Sequence, residues 1–259
     1  MKLGDQGNSY IAVSHGKPPP TEVVGEDVLI VDFCYPRDIL LNMKAKSVLI
    51  LDHHISAQKD LADPFPPHCN ITAYFDMTRS GAMICWQHFF PDSDVPLLIK
   101  YVQDRDIWIN DYPQSAYLTY GLSVFSEQFR DWRALIEDTD KLQEAVNAGE
   151  SIFTFIHQQS QRIVASRKRQ NIGGFDVPVI NAPGFMASDI LHIVLIEDPS
   201  APFVASYSDI LDQGVRSYSL RSEDHREDVS LIAKKYGGGG HRNASGFSIA
   251  LELALTPAK

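Results

Sequence analysis

Two short runs of the chain are apolar at nearly every position, and both end in aspartate: "DVLIVD" from Asp27 to Asp32 and "SVLILD" from Ser47 to Asp52. Unbroken Val, Leu and Ile over such a length predicts strands covered on both faces, as in a parallel sheet. Between them Pro36 can open a helix, with Ile39, Leu40 and Met43 as its buried stripe. A right-handed crossover then sets the second strand parallel to the first. Upstream, "SYIAVSHG" (Ser9 to Gly16) alternates enough for a short strand. Lys17-Pro18-Pro19-Pro20 stops it, because proline lacks the ladder donor.

Beyond this unit, helical spacing takes over. Ser80 is placed to cap a helix running through Trp86 and Phe90, and Asp94 to cap "VPLLIKYVQ". From Ser126 to about Arg169 the pattern is helical, with only Gly149 as a weak break. Arg167-Lys168-Arg169 followed by Asn171-Ile172-Gly173-Gly174 reads as a helix stop and a domain boundary. A strand restarts at "DVPVINA" (Asp176 to Ala182), and a helix follows from about Ser188. Next comes a hairpin that turns at Asp212-Gln213-Gly214, then a helix from about Asp228 to Tyr236 that runs into four glycines. The pattern predicts an α/β protein of two domains. A parallel, doubly wound N-terminal sheet is followed by a smaller mixed-sheet C-terminal domain, and a long helix joins them. The expected bounds are 1–145 for the first domain, 146–170 for the linker helix and 171–259 for the second domain.

The chain length of 259 residues suits two compact units. A hydrophobic content of 44% with 22% charged residues suits a globular chain and argues against disorder. The formal net charge of −10 disfavours a general binder of long duplex DNA, which needs a broad basic surface, and no such partner is expected. A nucleotide or short single strand needs only a local basic pocket, so it stays open. Cys34, Cys69 and Cys85 form no C-x-x-C pair, and a reducing compartment is the simple reading. Met1-Lys2-Leu3-Gly4-Asp5 opens no signal peptide, and no stretch reaches the roughly 18 apolar residues of a membrane span. A cytoplasmic protein without a membrane partner is expected.

Open α/β sheets bind ligands beyond the carboxyl ends of their strands. Asp32, Asp52, His53 and His54 should therefore meet at one sheet edge. Carboxylates beside imidazoles make a metal site or an acid–base pair. As a metal site the set suits Mn²⁺, Zn²⁺ or Fe²⁺ better than Mg²⁺ or Ca²⁺. A single histidine would more simply be a core residue bonded to a backbone carbonyl. "YVQDRDIW" (Tyr101 to Trp108) adds Asp104 and Asp106 after a helix. They could complete the site or form an ordinary polar turn with Arg105. A second constellation is "GGGGHRNASG", Gly237 to Gly246. Consecutive glycines allow close backbone approach, and consecutive N–H groups form an anion-binding nest, with His241 and Arg242 adding donors. Just before that helix, Arg221 can fork onto a phosphate and Ser222 can donate a hydroxyl.

Asp52-His53-His54 after an aliphatic strand resembles the name motif of the DHH phosphoesterase superfamily. Ser219-Leu220-Arg221-Ser222, followed by Gly238-Gly239-Gly240-His241 with Ala244 and Gly246, resembles the DHH-associated C-terminal domain. The resemblance covers nearly the whole chain and falls in the nanoRNase and exopolyphosphatase-like branch. It implies a Mn²⁺-dependent hydrolase acting by metal-assisted attack of water on phosphorus. The partner would be a phosphorylated small molecule, a nucleotide or a short single-stranded oligonucleotide. By the same resemblance Asp32, His53 and Asp104 would hold metal, and Asp52 would orient the histidines or ligate weakly. His54 and Arg221 would stabilise the developing charge, and Ser222, Gly238, Gly239, Gly240 and His241 would clamp the substrate. Arg79, at a helix N-terminus, would be a further phosphate contact.

Family members open with a strand carrying a His and two Asp in a pattern like His-Gly-x-x-x-Asp-Gly. Here the first 27 residues hold only His15, Asp5 and Asp27 of those types. The expectation is a chain starting after that first motif, with one metal short of ligands and a second metal site in question. Two alternatives to the competent enzyme follow: a catalytically impaired nucleotide-binding module, or a truncated gene product. Neither the oligomeric state nor the substrate is fixed by the sequence, which leaves room for a homodimer.

Overall fold

The computed structural model describes residues 8–14, 16–125 and 128–251. The chain divides into two compact units, Met1–Phe153 and Thr154–Lys259. Together they make an α/β protein with one sheet in each unit.

In the first unit, β1 (Asp27–Val31), β2 (Ser47–Asp52) and β3 (Ile71–Phe75) form a three-stranded sheet in that order, all parallel. The register aligns Val31 with Leu51 and Asp52 with Phe75, so the carboxyl ends of the strands share one edge. The central strand β2 is covered as its apolar run predicts, with Val48, Ile50 and Leu51 buried. The edge strand β1 is not, because it has a neighbour on one side only: Ile30 is its one buried side chain and Val31 is 44% exposed. Helix α1 (Arg37–Asn42) follows Pro36 and drives Leu40 into the core, beside the half-buried Ile39 and Met43. A short α2 (Ile55–Asp60) follows β2, with His54 as its N-cap residue.

Further helices follow in this unit. In α3 (Gly81–Phe89) the Ser80 hydroxyl accepts from the Met83 N–H at 3.2 Å, the cap its position predicts. Helix α4 (Leu97–Asp106) starts after Pro96, not at Asp94; residues 94–96 lie outside it and no side chain caps it. Helix α5 (Pro113–Leu122) was not expected from the sequence, whose apolar spacing there is weak. The run expected to be helical from Ser126 divides into α6 (Phe129–Glu137) and α7 (Thr139–Val164). Asp138 breaks it in an extended conformation, and its carboxylate accepts from the Asp140 N–H at 3.0 Å. Gly149 is no break. It lies inside α7 where α5 crosses, and a Cβ there would stand 1.8 Å from the Tyr117 carbonyl oxygen. The helical core is built from Leu98, Tyr101, Leu118, Leu135, Leu142 and Val146.

Helix α7 is continuous across the division between Phe153 and Thr154. It stops at Val164, before the basic run, and Lys168–Ile172 is a strand, β4. Asn171 and Ile172 therefore end β4, and Gly173-Gly174, both at positive φ, make a hairpin turn within the second unit. The second sheet continues with β5 (Phe175–Asn181), β6 (Val204–Ile210), β7 (Val215–Arg221), β8 (Gly239–Gly240) and β9 (Ala244–Ala250). Its order is β4-β5-β6-β7-β9-β8, antiparallel except for the β5–β6 pair. Helix α8 (Ala187–Glu197) packs on β6 and β7, and α9 (Val229–Lys234), capped by Asp228, packs on β9. The expected strand at Ser9 to Gly16 does not form: residues 9–14 are irregular and exposed, with no ladder partner. His15 lies outside the described residues. Among the described residues, no helix is long and apolar enough to cross a membrane.

Candidate metal centre

The edge shared by the three strand ends carries the chemistry. Asp32 follows β1 with its N–H bonded to the Leu51 carbonyl at 3.0 Å and its φ at +52°. An aspartate tolerates that left-handed conformation better than most residues. It points the Asp32 carboxylate across β2, where Oδ1 meets His53 Nε2 at 3.0 Å. The first residue of α3 makes room for it. A Cβ on Gly81 would lie 2.7 Å from both Asp32 Cβ and Asp32 Oδ1. Gly81 is thus part of the site, although nothing in the sequence singles it out.

Asp52, at the end of β2, is fully buried. Its Oδ1 accepts from the His53 N–H at 2.8 Å and meets His54 Nδ1 at 2.6 Å. Burial pushes the Asp52 carboxyl up, but the hydrogen bonds and charge of the two histidines outweigh it and hold the group below its usual value. His53 is raised, chiefly by its hydrogen bond to Asp32 and against the effect of burial. Asp106 Oδ2 approaches His53 Nε2 to 3.6 Å from the end of α4. Burial and, beyond it, the Asp32 charge raise Asp106, while His53 and His54 oppose them.

Asp32, Asp52, His53 and His54 therefore meet as the two strand ends predict. Asp104 does not join them. It is 1% exposed and faces inward, accepting from the Asp111 N–H at 2.7 Å, the Tyr112 N–H at 3.4 Å and the Ser115 hydroxyl at 2.5 Å. Asp106 stands in the place expected of Asp104. Their two-residue offset on one helix is the reason: at 100° per residue the side chains point to nearly opposite sides. Arg79 is tied down by Asp76, at 2.7 Å from Nε, and by Tyr74 and Gln87.

The residues present fit a divalent cation. One ligand atom from each of Asp32, Asp52, His53 and His54 lies within 4.8 Å of the others. Asp52 Oδ2 is buried and has no hydrogen-bond partner, a costly state for a carboxylate oxygen unless a cation or proton answers it. Two carboxylates and two imidazoles are a mixed O/N set, which suits Mn²⁺, Zn²⁺ or Fe²⁺.

The second unit holds the other predicted residues. Burial depresses the Arg221 guanidinium; Nη1 donates to the Leu220 carbonyl at 2.8 Å and Nη2 to the Ser188 hydroxyl at 2.9 Å. Ser222 is 6% exposed. The first two amides of the glycine run are taken within the protein, and the last two glycines lie in a strand. The Gly237 N–H bonds Lys234 O at 3.1 Å, the Gly238 N–H bonds Ala233 O at 3.0 Å, and Gly239 and Gly240 pair with β9. The glycines serve close backbone packing. A Cβ on Gly238 would stand 2.1 Å from Gly246 O, whereas one on Gly239 would meet nothing within 4 Å. Gly240, at φ +136°, is also tight against Ala244. The His241 N–H bonds Ala244 O at 2.8 Å, and Arg242 Nη2 donates to the carbonyls of Asp224 and Arg226 at 2.7 and 2.9 Å.

No family model matches the sequence. An uncharacterized protein of Acanthamoeba polyphaga mimivirus is 33% identical over 244 residues, covering 88% of this chain and 54% of that protein. Oligoribonuclease NrnB of Bacillus subtilis is 31% identical over 108 residues, covering 40% of this chain and 26% of that protein. The chain thus spans about half the length of the first and a quarter of the second. Among solved structures, the DHH domain of a member of the s1p family of ribosomal proteins aligns with a TM-score of 0.48 at 14% identity, covering 86% of this chain and 65% of that one.

Proposed function

We propose, starting from the DHH phosphoesterase likeness, that this chain is a metal-dependent phosphohydrolase of short oligonucleotides or small nucleotide phosphates. The observation that carries the reading is the convergence of Asp32, Asp52, His53 and His54 at the carboxyl edge of a parallel sheet, with one oxygen of Asp52 buried and unpartnered. Asp32, His53 and Asp106 are the proposed ligands of a Mn²⁺ ion, with the orphaned oxygen of Asp52 directed to the same ion. When bound, such an ion supplies Lewis-acid polarisation of a phosphoryl oxygen and lowers the pKa of water. The protein's own part is positional and electrostatic. Asp52 Oδ1 holds His54 Nδ1 and so fixes the ring that faces the phosphate, where its other nitrogen can donate to a developing negative charge.

Charge is divided along the chain in a way that suits this reading. Residues 1–153 carry 22 Asp and Glu against 12 Lys and Arg, whereas residues 154–259 carry 11 of each. The excess of carboxylates lies with the proposed cation centre, and an anionic substrate meets less repulsion on the second unit. There Ser222, His241 and Arg221 are the proposed phosphate contacts, Arg221 by exchanging the Ser188 hydroxyl for a phosphate oxygen. Oligoribonuclease NrnB supports the oligonucleotide as first substrate to test.

The experiment is a Mn²⁺ titration by calorimetry on the full chain, with hydrolysis of a 5′-phosphorylated dinucleotide measured alongside. One ion is expected at this centre, and Asp32→Asn and His53→Ala should each remove both binding and turnover. Full metal affinity in either variant overturns the assignment. Metal binding without turnover of any nucleotide substrate would leave a binding module.

A further inference from the structure

The last turn of α4 holds two carboxylates, and the proposed centre uses only Asp106. Asp104 is buried, and its carboxylate is hydrogen-bonded to the strap that follows, residues 107–115. The strap has an uncommon backbone: Trp108 and Asn110 both have positive φ, +56° and +61°, although neither is glycine. Such conformations persist only where surrounding contacts over-determine them. Here the contacts converge on Asp104. Its carboxylate takes the Asp111 and Tyr112 N–H groups and the Ser115 hydroxyl, and its carbonyl takes the Ile109 N–H at 2.9 Å. The Arg105 guanidinium lies over the Trp108 ring, 4.6 Å from its centroid. Asp106 is the last helical residue, and a helix end frays unless its final turn is held.

We infer that Asp104 is a positioning residue for the metal centre: by clamping the strap it fixes the last turn of α4, and so aims Asp106 at His53. The inference rests on the proposed metal-dependent function. It gives the first of the two aspartates in "DRD" a role that requires no contact with metal or substrate. Because the two side chains point nearly oppositely on the helix, one serves the centre only while the other serves the strap.

Three variants of the full chain test it: Asp104→Asn, Asp106→Asn and Ser115→Ala. Two quantities are read for each: the melting temperature without metal and the Mn²⁺ affinity of the folded protein by calorimetry, with the electron paramagnetic resonance spectrum of bound Mn²⁺ as a check on the ligand set. Asp106→Asn should leave the metal-free melting temperature near that of the parent and remove most of the affinity. Asp104→Asn should lower the melting temperature and also weaken Mn²⁺ binding about 10- to 100-fold, the range found when groups orienting a ligand are lost. Ser115→Ala, which removes a single bond to the clamp, should move both quantities the same way by less, and serves if Asp104→Asn does not fold. An Asp104→Asn protein that melts as the parent but binds no Mn²⁺ would make Asp104 a ligand and overturn the inference. A lower melting temperature with unchanged affinity and spectrum in both Asp104→Asn and Ser115→Ala would reduce the clamp to a purely structural one, and would overturn it too. If Asp106→Asn binds Mn²⁺ like the parent, the failure lies in the proposed centre itself.

Discussion

Gly81→Ala is a small change whose effect can be worked out from the contact it creates. The added Cβ would lie 2.7 Å from Asp32 Cβ and Oδ1, and ordinary contact begins at 3.4 Å, so one side must give by about 0.7 Å. Asp32 Cβ is fixed to a backbone already held at φ +52° by the bond to Leu51. The yielding partner is therefore the carboxylate or the first turn of α3. If the carboxylate retreats along its bond to His53, that contact lengthens from 3.0 Å to about 3.7 Å, beyond hydrogen-bonding range. Overpacking of this kind costs about 1–3 kcal/mol, less the few tenths to 1 kcal/mol by which Ala favours a helix over Gly. At 1.4 kcal/mol per tenfold, displacing a ligand by that margin should weaken Mn²⁺ binding roughly 10-fold. The assay is calorimetric titration of Mn²⁺ into parent and variant at one pH, with circular dichroism to show that the fold is kept. An affinity within twofold of the parent, while Asp32→Asn abolishes binding, would show that α3 does not set the Asp32 carboxylate. The argument from Gly81 would then be wrong.

Three further outcomes are expected. Gly149→Ala should destabilise the protein by at least about 1–3 kcal/mol, because its Cβ would meet the Tyr117 carbonyl at 1.8 Å in the α5–α7 crossing; thermal melting checks this, and a helix-propensity gain alone would raise the melting temperature. In the glycine run, Gly238→Val should be far more damaging than Gly239→Val, since the first would drive a side chain into Gly246 and Phe247 and the second meets open space; equal melting temperatures for the two variants would refute the packing role. Asp209 is held below its usual value, chiefly by the Arg216 hydrogen bond at 2.6 Å and against burial. A carboxyl lowered in the folded state gives stability that is present above its unfolded pKa, near 3.8, and lost as pH falls through the lower folded value. Asp209→Asn should therefore melt below the parent at pH 6, with the difference closing near pH 3; a difference that does not change with pH would refute the linkage.

Local signals were enough to read much of this protein from its sequence. Continuous apolar runs marked β1 and β2, and aspartates at their ends placed Asp32 and Asp52-His53-His54 at one sheet edge, because strand direction alone decides where those residues emerge. Ser80 announced its helix as a cap, and Asp212-Gln213-Gly214 its hairpin. Other features depend on what a segment meets in space. Whether Asp104 or Asp106 faces the centre turns on the rotation of α4 against β2, and a spacing of two residues cannot reveal it. Gly149 looks like a helix breaker in one dimension; only the passage of α5 makes it a residue on which close packing depends. The glycine run reads as an anion nest in one dimension; that Gly238 packs against Gly246 and that Gly239 and Gly240 pair with β9 appears only when the two segments are laid side by side. The segment from Ser9 alternates like a strand but has no ladder partner among the described residues. Hydrogen-bond partners and close approaches are properties of two segments at once, so tertiary structure decided them, whereas the sequence by itself determined which residues each segment could offer.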